Sequence, residues 1–216
     1  MGLIPYKNEV YLDWSEEKNV QAMRAALGEV GSRLDRSYPA IIGGERVETE
    51  DEIESVNPAD PSQVVGRTAS ATEREADMAL DAATRAFETW SRTAPEARAR
   101  ILLRASAIMK RRRFELLAWE AYEGGKPWSE ADAQVAEAID FLEYYAREML
   151  RLKDGVEIYS IPGEESRYTY QPMGVGVIIA PWNFPTAILT GMSSAAIVAG
   201  NTVIMKPSEF TSVIGA

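Results

Sequence analysis

The chain has 216 residues, 46% of them hydrophobic and 26% charged, which excludes collagen-like and disordered chains and allows one large domain or two small ones. Its 33 acidic and 23 basic residues give a net charge of −10, so no nucleic-acid partner is expected. There is no cysteine and no histidine, which removes disulfides, thiolate zinc sites, a cysteine nucleophile and a histidine base from these residues, and no metal is expected.

The N-terminus has no apolar core of a secretory signal. Ala187 to Gly200 is weakly polar but too short to span a bilayer. A cytoplasmic protein without membrane contact is expected.

Residues 1–37 form an acidic leader with one amphipathic helix. Ser15 is its expected N-cap, and Val20, Met23, Ala26, Leu27 and Val30 recur at helical spacing up to Gly31, the expected C-cap. Next comes β structure. Gly43-Gly44 after Ile41-Ile42 suits a tight hairpin, Ile53 to Val56 a short strand ended by Asn57-Pro58, and Gln63 to Thr68 a third.

Residues 72–153 read as helical. Thr72 and Glu75 form a capping-box pair. A second helix starts near Pro95 and continues through Leu116, Leu117 and Trp119 to Gly124-Gly125. The basic run Lys110 to Arg113 within it reads as a solvated helix end. Ser129 is the expected cap of a third helix, with Asp132 in its first turn. Val135, Ile139, Leu142, Ala146 and Met149 form one stripe of that helix, while Phe141 and Tyr144 lie nearer Glu137. The helix is therefore expected to be covered on two sides. Glu137 is either an ordinary exposed helix glutamate or a carboxylate among aromatics.

Residues 156–172 alternate around Pro162-Gly163-Glu164-Glu165, the pattern of a long hairpin that a second subunit could cover. Val175 to Ile179 and Asn201 to Met205 read as buried strands flanking a helix over Ile188 to Ala199, which makes a βαβ unit. Pro207-Ser208-Glu209 reads as a turn and cap opening another helix.

Gly174-x-Gly176 lies before and within its strand, so it fails the dinucleotide fingerprint, whose glycines follow the strand. These glycines read as turn and close-packing residues. Open parallel sheets bind ligands beyond the carboxyl ends of their strands. Asn183 and Phe184 follow the first strand; Lys206, Ser208 and Glu209 follow the second. Asn183 offers an amide donor for charge developing on a carbonyl oxygen. Lys206 and Glu209 suit a sugar diol, and the carboxylate would disfavour a 2′-phosphate. A turn asparagine and a solvent ion pair are the plainer alternatives.

Ala180-Pro-Trp-Asn-Phe-Pro185, followed by Gly200-Asn-Thr-Val-Ile-Met-Lys-Pro-Ser-Glu209, resembles the aldehyde dehydrogenase superfamily. Within it, Asn8 to Ser15 and Val135 to Phe141 are similar to the 1-pyrroline-5-carboxylate dehydrogenases. The resemblance implies an α/β fold corresponding to the family's N-terminal part. That part would comprise β-hairpins and a helical tract over 38–155, an oligomerisation hairpin at 156–172, and a truncated first βαβ unit of a Rossmann-type sheet over 173–216.

The resemblance also implies NAD-dependent oxidation of L-glutamate γ-semialdehyde to glutamate in proline breakdown, by a homo-oligomer. Asn183 would stabilise the oxyanion. Ile179, Pro181, Trp182, Lys206, Ser208 and Glu209 would hold NAD. Glu137 and Phe184 would border the aldehyde. The family's thiolate and deacylating base have no counterpart here, so these residues alone are expected not to turn over and to bind NAD weakly or not at all. A non-catalytic assembly module, or a different aldehyde substrate, are the alternatives.

Overall fold

The computed structural model describes residues 4–156 and 158–216. Six helices dominate: α1 (Glu17–Gly31), α2 (Glu73–Trp90), α3 (Pro95–Arg111), α4 (Arg113–Tyr122), α5 (Trp128–Leu152) and α6 (Pro185–Val198). A 3-10 turn (Glu209–Thr211) and a short α7 (Ser212–Gly215) follow. Among the described residues no helix is long and apolar enough to cross a membrane.

Among the described residues the strands form three small sheets. β1 (Arg36–Tyr38) runs parallel to β5 (Asp60–Ala69), which pairs antiparallel with β4 (Glu52–Asn57). β2 (Ala40–Ile42) and β3 (Glu45–Val47) make the expected hairpin. Gly43 and Gly44 turn it with φ of 61° and 89°, which side-chain-bearing residues rarely adopt. β6 (Val175–Ile179) and β7 (Thr202–Lys206) are parallel neighbours joined through α6, giving the predicted βαβ unit.

The main core lies where α1, α4 and α5 meet. Met23, Val30, Leu117, Val135 and Ile139 are fully buried there, and Leu12 and Trp14 of the leader pack against them. A second cluster joins Ala99 and Leu102 of α3 to Leu142 and Ala146 of α5 and Val198 of α6. The stripe read from α5 thus fills two clusters, and α3, α4 and α6 all contact this helix.

Several local expectations are corrected. Glu16, not Ser15, stands at the N-cap of α1, because the Ser15 hydroxyl donates to Asp13 instead. Gly31 is the last helical residue, with Ser32 as C-cap. A Cβ at Gly31 would lie 2.8 Å from the Tyr122 hydroxyl, so the glycine admits a side chain that donates to Leu27 O at 3.1 Å. The second helix breaks at Arg112, where φ −96° and ψ 14° leave the helical region.

The basic run does end α3, and Lys110, Arg111 and Arg112 are exposed as expected, but its last residue is not solvated. Arg113 is buried, bonded to Asp132 Oδ1 at 2.6 Å and to Val10 O at 3.0 Å. Pro127, not Ser129, opens α5, and Asp132 serves Arg113 and the Leu12 N–H (2.7 Å) rather than a cap. Over 156–172 the described residues show one antiparallel bridge, Val156 to Tyr168, rather than a ladder. Gly174 is a turn residue at φ 134°, but Gly176 is not closely packed: a Cβ there would meet nothing nearer than 3.8 Å.

Candidate functional site at the strand ends

β6 and β7 are in register from Val175 opposite Thr202 to Ile179 opposite Lys206, so their carboxyl ends finish side by side. Asn201 holds the opposite edge, its Oδ1 accepting the Met173 and Gly174 N–H groups at 2.7 and 3.0 Å. Ile178 packs with Leu189 and Ala196 of α6. By strand alternation Ile179 faces the other way, and it is 65% exposed.

The chain leaves β6 through Ala180, whose N–H still donates to Lys206 O at 3.3 Å. It then passes Pro181, Trp182 and Asn183, all exposed, to Phe184 at the N-cap of α6. Pro185 occupies the first helical position, where its missing N–H costs nothing. The Asn183 amide makes no hydrogen bond among the described residues. Lys126 stands over the Phe184 ring, 5.3 Å from its centroid, and ties the loop to the end of α4.

Across the gap, Lys206 and Glu209 are both exposed, and no ion pair joins them among the described residues. The solvent ion pair is therefore not formed. Ser208 is half-buried, and its Oγ accepts the Phe210 N–H at 3.3 Å. Its hydroxyl shapes the turn that carries Glu209.

The structure thus gathers Ile179, Pro181, Trp182, Asn183, Phe184, Lys206, Ser208 and Glu209 at one edge. An ammonium donor, a carboxylate acceptor and exposed apolar side chains there fit a ribose and its attached ring system. Glu137 comes from elsewhere. It is half-buried on α5, one turn from Phe141, whose ring meets Gly191 of α6. An open apolar groove of about 280 Å³ lies between these helices, lined by Phe141, Tyr145, Ile188 and Met192 but by neither Glu137 nor Phe184.

Two buried carboxyls beneath the edge were missed in the sequence. Glu120 is fully buried, and its Oε1 accepts the Thr186 N–H of α6 at 3.3 Å. Glu123 accepts Ser55 Oγ (2.7 Å), Val213 N–H (2.8 Å) and Ile214 N–H (2.6 Å). Burial pushes both carboxyls above their ordinary range, against these hydrogen bonds. The only available signal was position: Glu120 falls three residues after buried Leu117, on the same face. Among the described residues no cluster of acidic groups is placed to hold a metal.

The family model described as "Aldehyde dehydrogenase family" matches residues 46–216. The chain is 57% identical over 210 residues to 1-pyrroline-5-carboxylate dehydrogenase of Geobacillus thermodenitrificans, covering 97% of this chain and 41% of that protein. The Geobacillus kaustophilus protein of the same name is 56% identical over the same shares. Among solved structures, the 1-pyrroline-5-carboxylate dehydrogenase from Thermus with bound NAD superposes with a TM-score of 0.97 at 50% identity, over all of this chain and 42% of that one. Proline utilization A from Bdellovibrio bacteriovorus matches with a TM-score of 0.96 at 41% identity, over 98% of this chain and 22% of that one. The chain spans about 41% of the length of the curated relatives it matches.

Proposed function

The chain belongs to the aldehyde dehydrogenase family, and from that premise we propose that it forms part of an NAD-dependent enzyme oxidising L-glutamate γ-semialdehyde to glutamate. The observation that carries this reading is the convergence of Asn183, Lys206 and Glu209 at adjacent carboxyl ends of two parallel strands. The Geobacillus and Thermus likenesses support the substrate.

In this reading Lys206 donates to a ribose hydroxyl of NAD and Glu209 accepts from one. Ile179, Pro181 and Trp182 line the cofactor, and Ser208 holds the turn that presents Glu209. Bound NAD supplies the hydride acceptor. Asn183 donates its amide N–H to the aldehyde oxygen as negative charge develops there. Its side chain has no competing protein acceptor among the described residues, so it meets that charge without first breaking a bond. Phe184 and Glu137 border the aldehyde. The 216 residues contain no cysteine, so the thiolate of a covalent route comes from elsewhere in the whole enzyme.

Lys206→Ala and Glu209→Ala in the whole enzyme test the cofactor half. Each is expected to raise the KM for NAD about tenfold, in line with a lost charge-assisted hydrogen bond. An unchanged KM for NAD in both would refute it. A cytoplasmic location belongs to the same reading and is checked by cell fractionation.

A homo-oligomer contact through 156–172 is the second part of the proposal. Tyr159 is 84% exposed and Met173 is 99% exposed, beside half-exposed Tyr168 and Tyr170. Apolar surface of this kind favours cover by another subunit. Sedimentation of Tyr159→Ser and Tyr170→Ser variants should show smaller assemblies, and unchanged mass would exclude this contact.

A further inference from the structure

α6 has no side-chain cap at its start, while at its far end the Gly200 and Asn201 N–H groups close back on Ile197 O and Ala196 O at 3.0 and 3.1 Å. Phe184 stands at its N-cap, its first turn has no acidic residue and its last turn no basic one. Both ends are also held by side chains of other helices. At the start, the carboxyl of Glu120 at the end of α4 accepts the Thr186 N–H at 3.3 Å. At the far end, Arg98 of α3, only 5% exposed, donates its Nε–H to Val198 O at 2.8 Å.

The remaining Arg98 donors go to Thr93 O and Met149 Sδ, so all its hydrogen bonds end on uncharged atoms. The chain beyond α6 folds closely over this group. At Gly200, φ is +97° and a Cβ would lie 3.3 Å from the guanidinium carbon. Helix starts present unpaired N–H donors and helix ends unpaired carbonyls, so an acceptor and a donor stand at the matching ends. Burial raises the cost of losing either bond.

We propose that Glu120 and Arg98 are positioning residues, which fix α6 along its axis from its two ends and thereby set the Asn183–Phe184 loop. Asn183 is three residues before Thr186, and no side-chain hydrogen bond of its own places it among the described residues. The loop therefore inherits its position from the start of α6, with Lys126 over Phe184 as the other tie. This deepens the proposed function and rests on Asn183 being the oxyanion donor.

A double-mutant cycle in the whole enzyme tests the coupling. Glu120→Ala is expected to lower kcat at least tenfold, with the KM for NAD within twofold. In an Asn183→Ala background the same change should have almost no further effect on kcat. Arg98→Met should behave likewise. Glu120→Gln, near in size and still an acceptor, should lose only two- to fivefold, and it carries the cycle if Glu120→Ala does not fold.

Full additivity with Asn183→Ala, or wild-type kcat in the folded Glu120 variants, overturns the proposal. Asn183→Ala at wild-type rate would instead sink the oxyanion assignment. Hydrogen exchange then judges the positioning separately. The Thr186 amide should exchange at least tenfold faster in Glu120→Ala, which removes the acceptor, and unchanged exchange there overturns the clamp itself.

Discussion

Arg113 and Asp132 meet in the interior at 2.6 Å, one from the start of α4 and one from the first turns of α5. The same two side chains hold the leader, Arg113 through Val10 O and Asp132 through the Leu12 N–H. One buried pair therefore joins three segments. Breaking such a pair leaves an uncompensated charge, typically costing about 3–5 kcal/mol. Arg113→Ala and Asp132→Ala are each expected to lose that much in urea unfolding. The double variant should lose less than their sum. Either single variant within about 0.5 kcal/mol of wild type would contradict this account.

The carboxyls predict a pH profile. The Arg112 fork, helped by Arg33, holds Glu115 down to about 2. Its folded pKa lies below its unfolded one, so the stability it adds is present above pH 4.5 and is lost as pH falls towards 2. Glu120 has the opposite sign. Its folded pKa is raised by burial, so the folded state holds a proton that the unfolded state has released above about 4.5. Stability falls as pH rises through that window. Chemical denaturation across pH should show Glu115→Gln flattening the acid limb. Glu120→Gln should gain stability relative to wild type as pH rises above 4.5. Parallel profiles for wild type and both variants would contradict the assignment.

Gly191 sets how closely α5 and α6 approach. A Cβ there would stand 2.7 Å from the Phe141 ring. Phe141 is also stacked on Tyr145, with centroids 5.7 Å apart, so displacing the ring gives up that contact. Gly191→Ala should therefore destabilise by about 1–3 kcal/mol, the usual cost of overpacking. A Phe141→Leu change in the same chain should recover part of it. A Gly191→Ala protein as stable as wild type would show that the ring moves freely.

The long periodic helices, the Gly43-Gly44 hairpin and the βαβ unit were legible because apolar spacing and turn chemistry act locally. The strand-end set was legible for a topological reason: parallel strands joined through one helix place their carboxyl ends together. Arg113, Asp132 and Glu120 were not legible. Charged residues on a helix read as solvated unless their partners are known, and those partners stand on other elements. Residues 156–172 gave a strand-like alternation, yet the described part forms only one bridge, since alternation does not supply the partner a ladder needs.

In the proposed reaction Asn183 meets the developing oxyanion at the end of β6. Steady-state kinetics of Asn183→Ala in the whole enzyme test it most directly. A fall in kcat of about a hundredfold or more is expected, as for loss of one oxyanion donor, with the KM for NAD within twofold. A folded Asn183→Ala enzyme with kcat within twofold of wild type would contradict it.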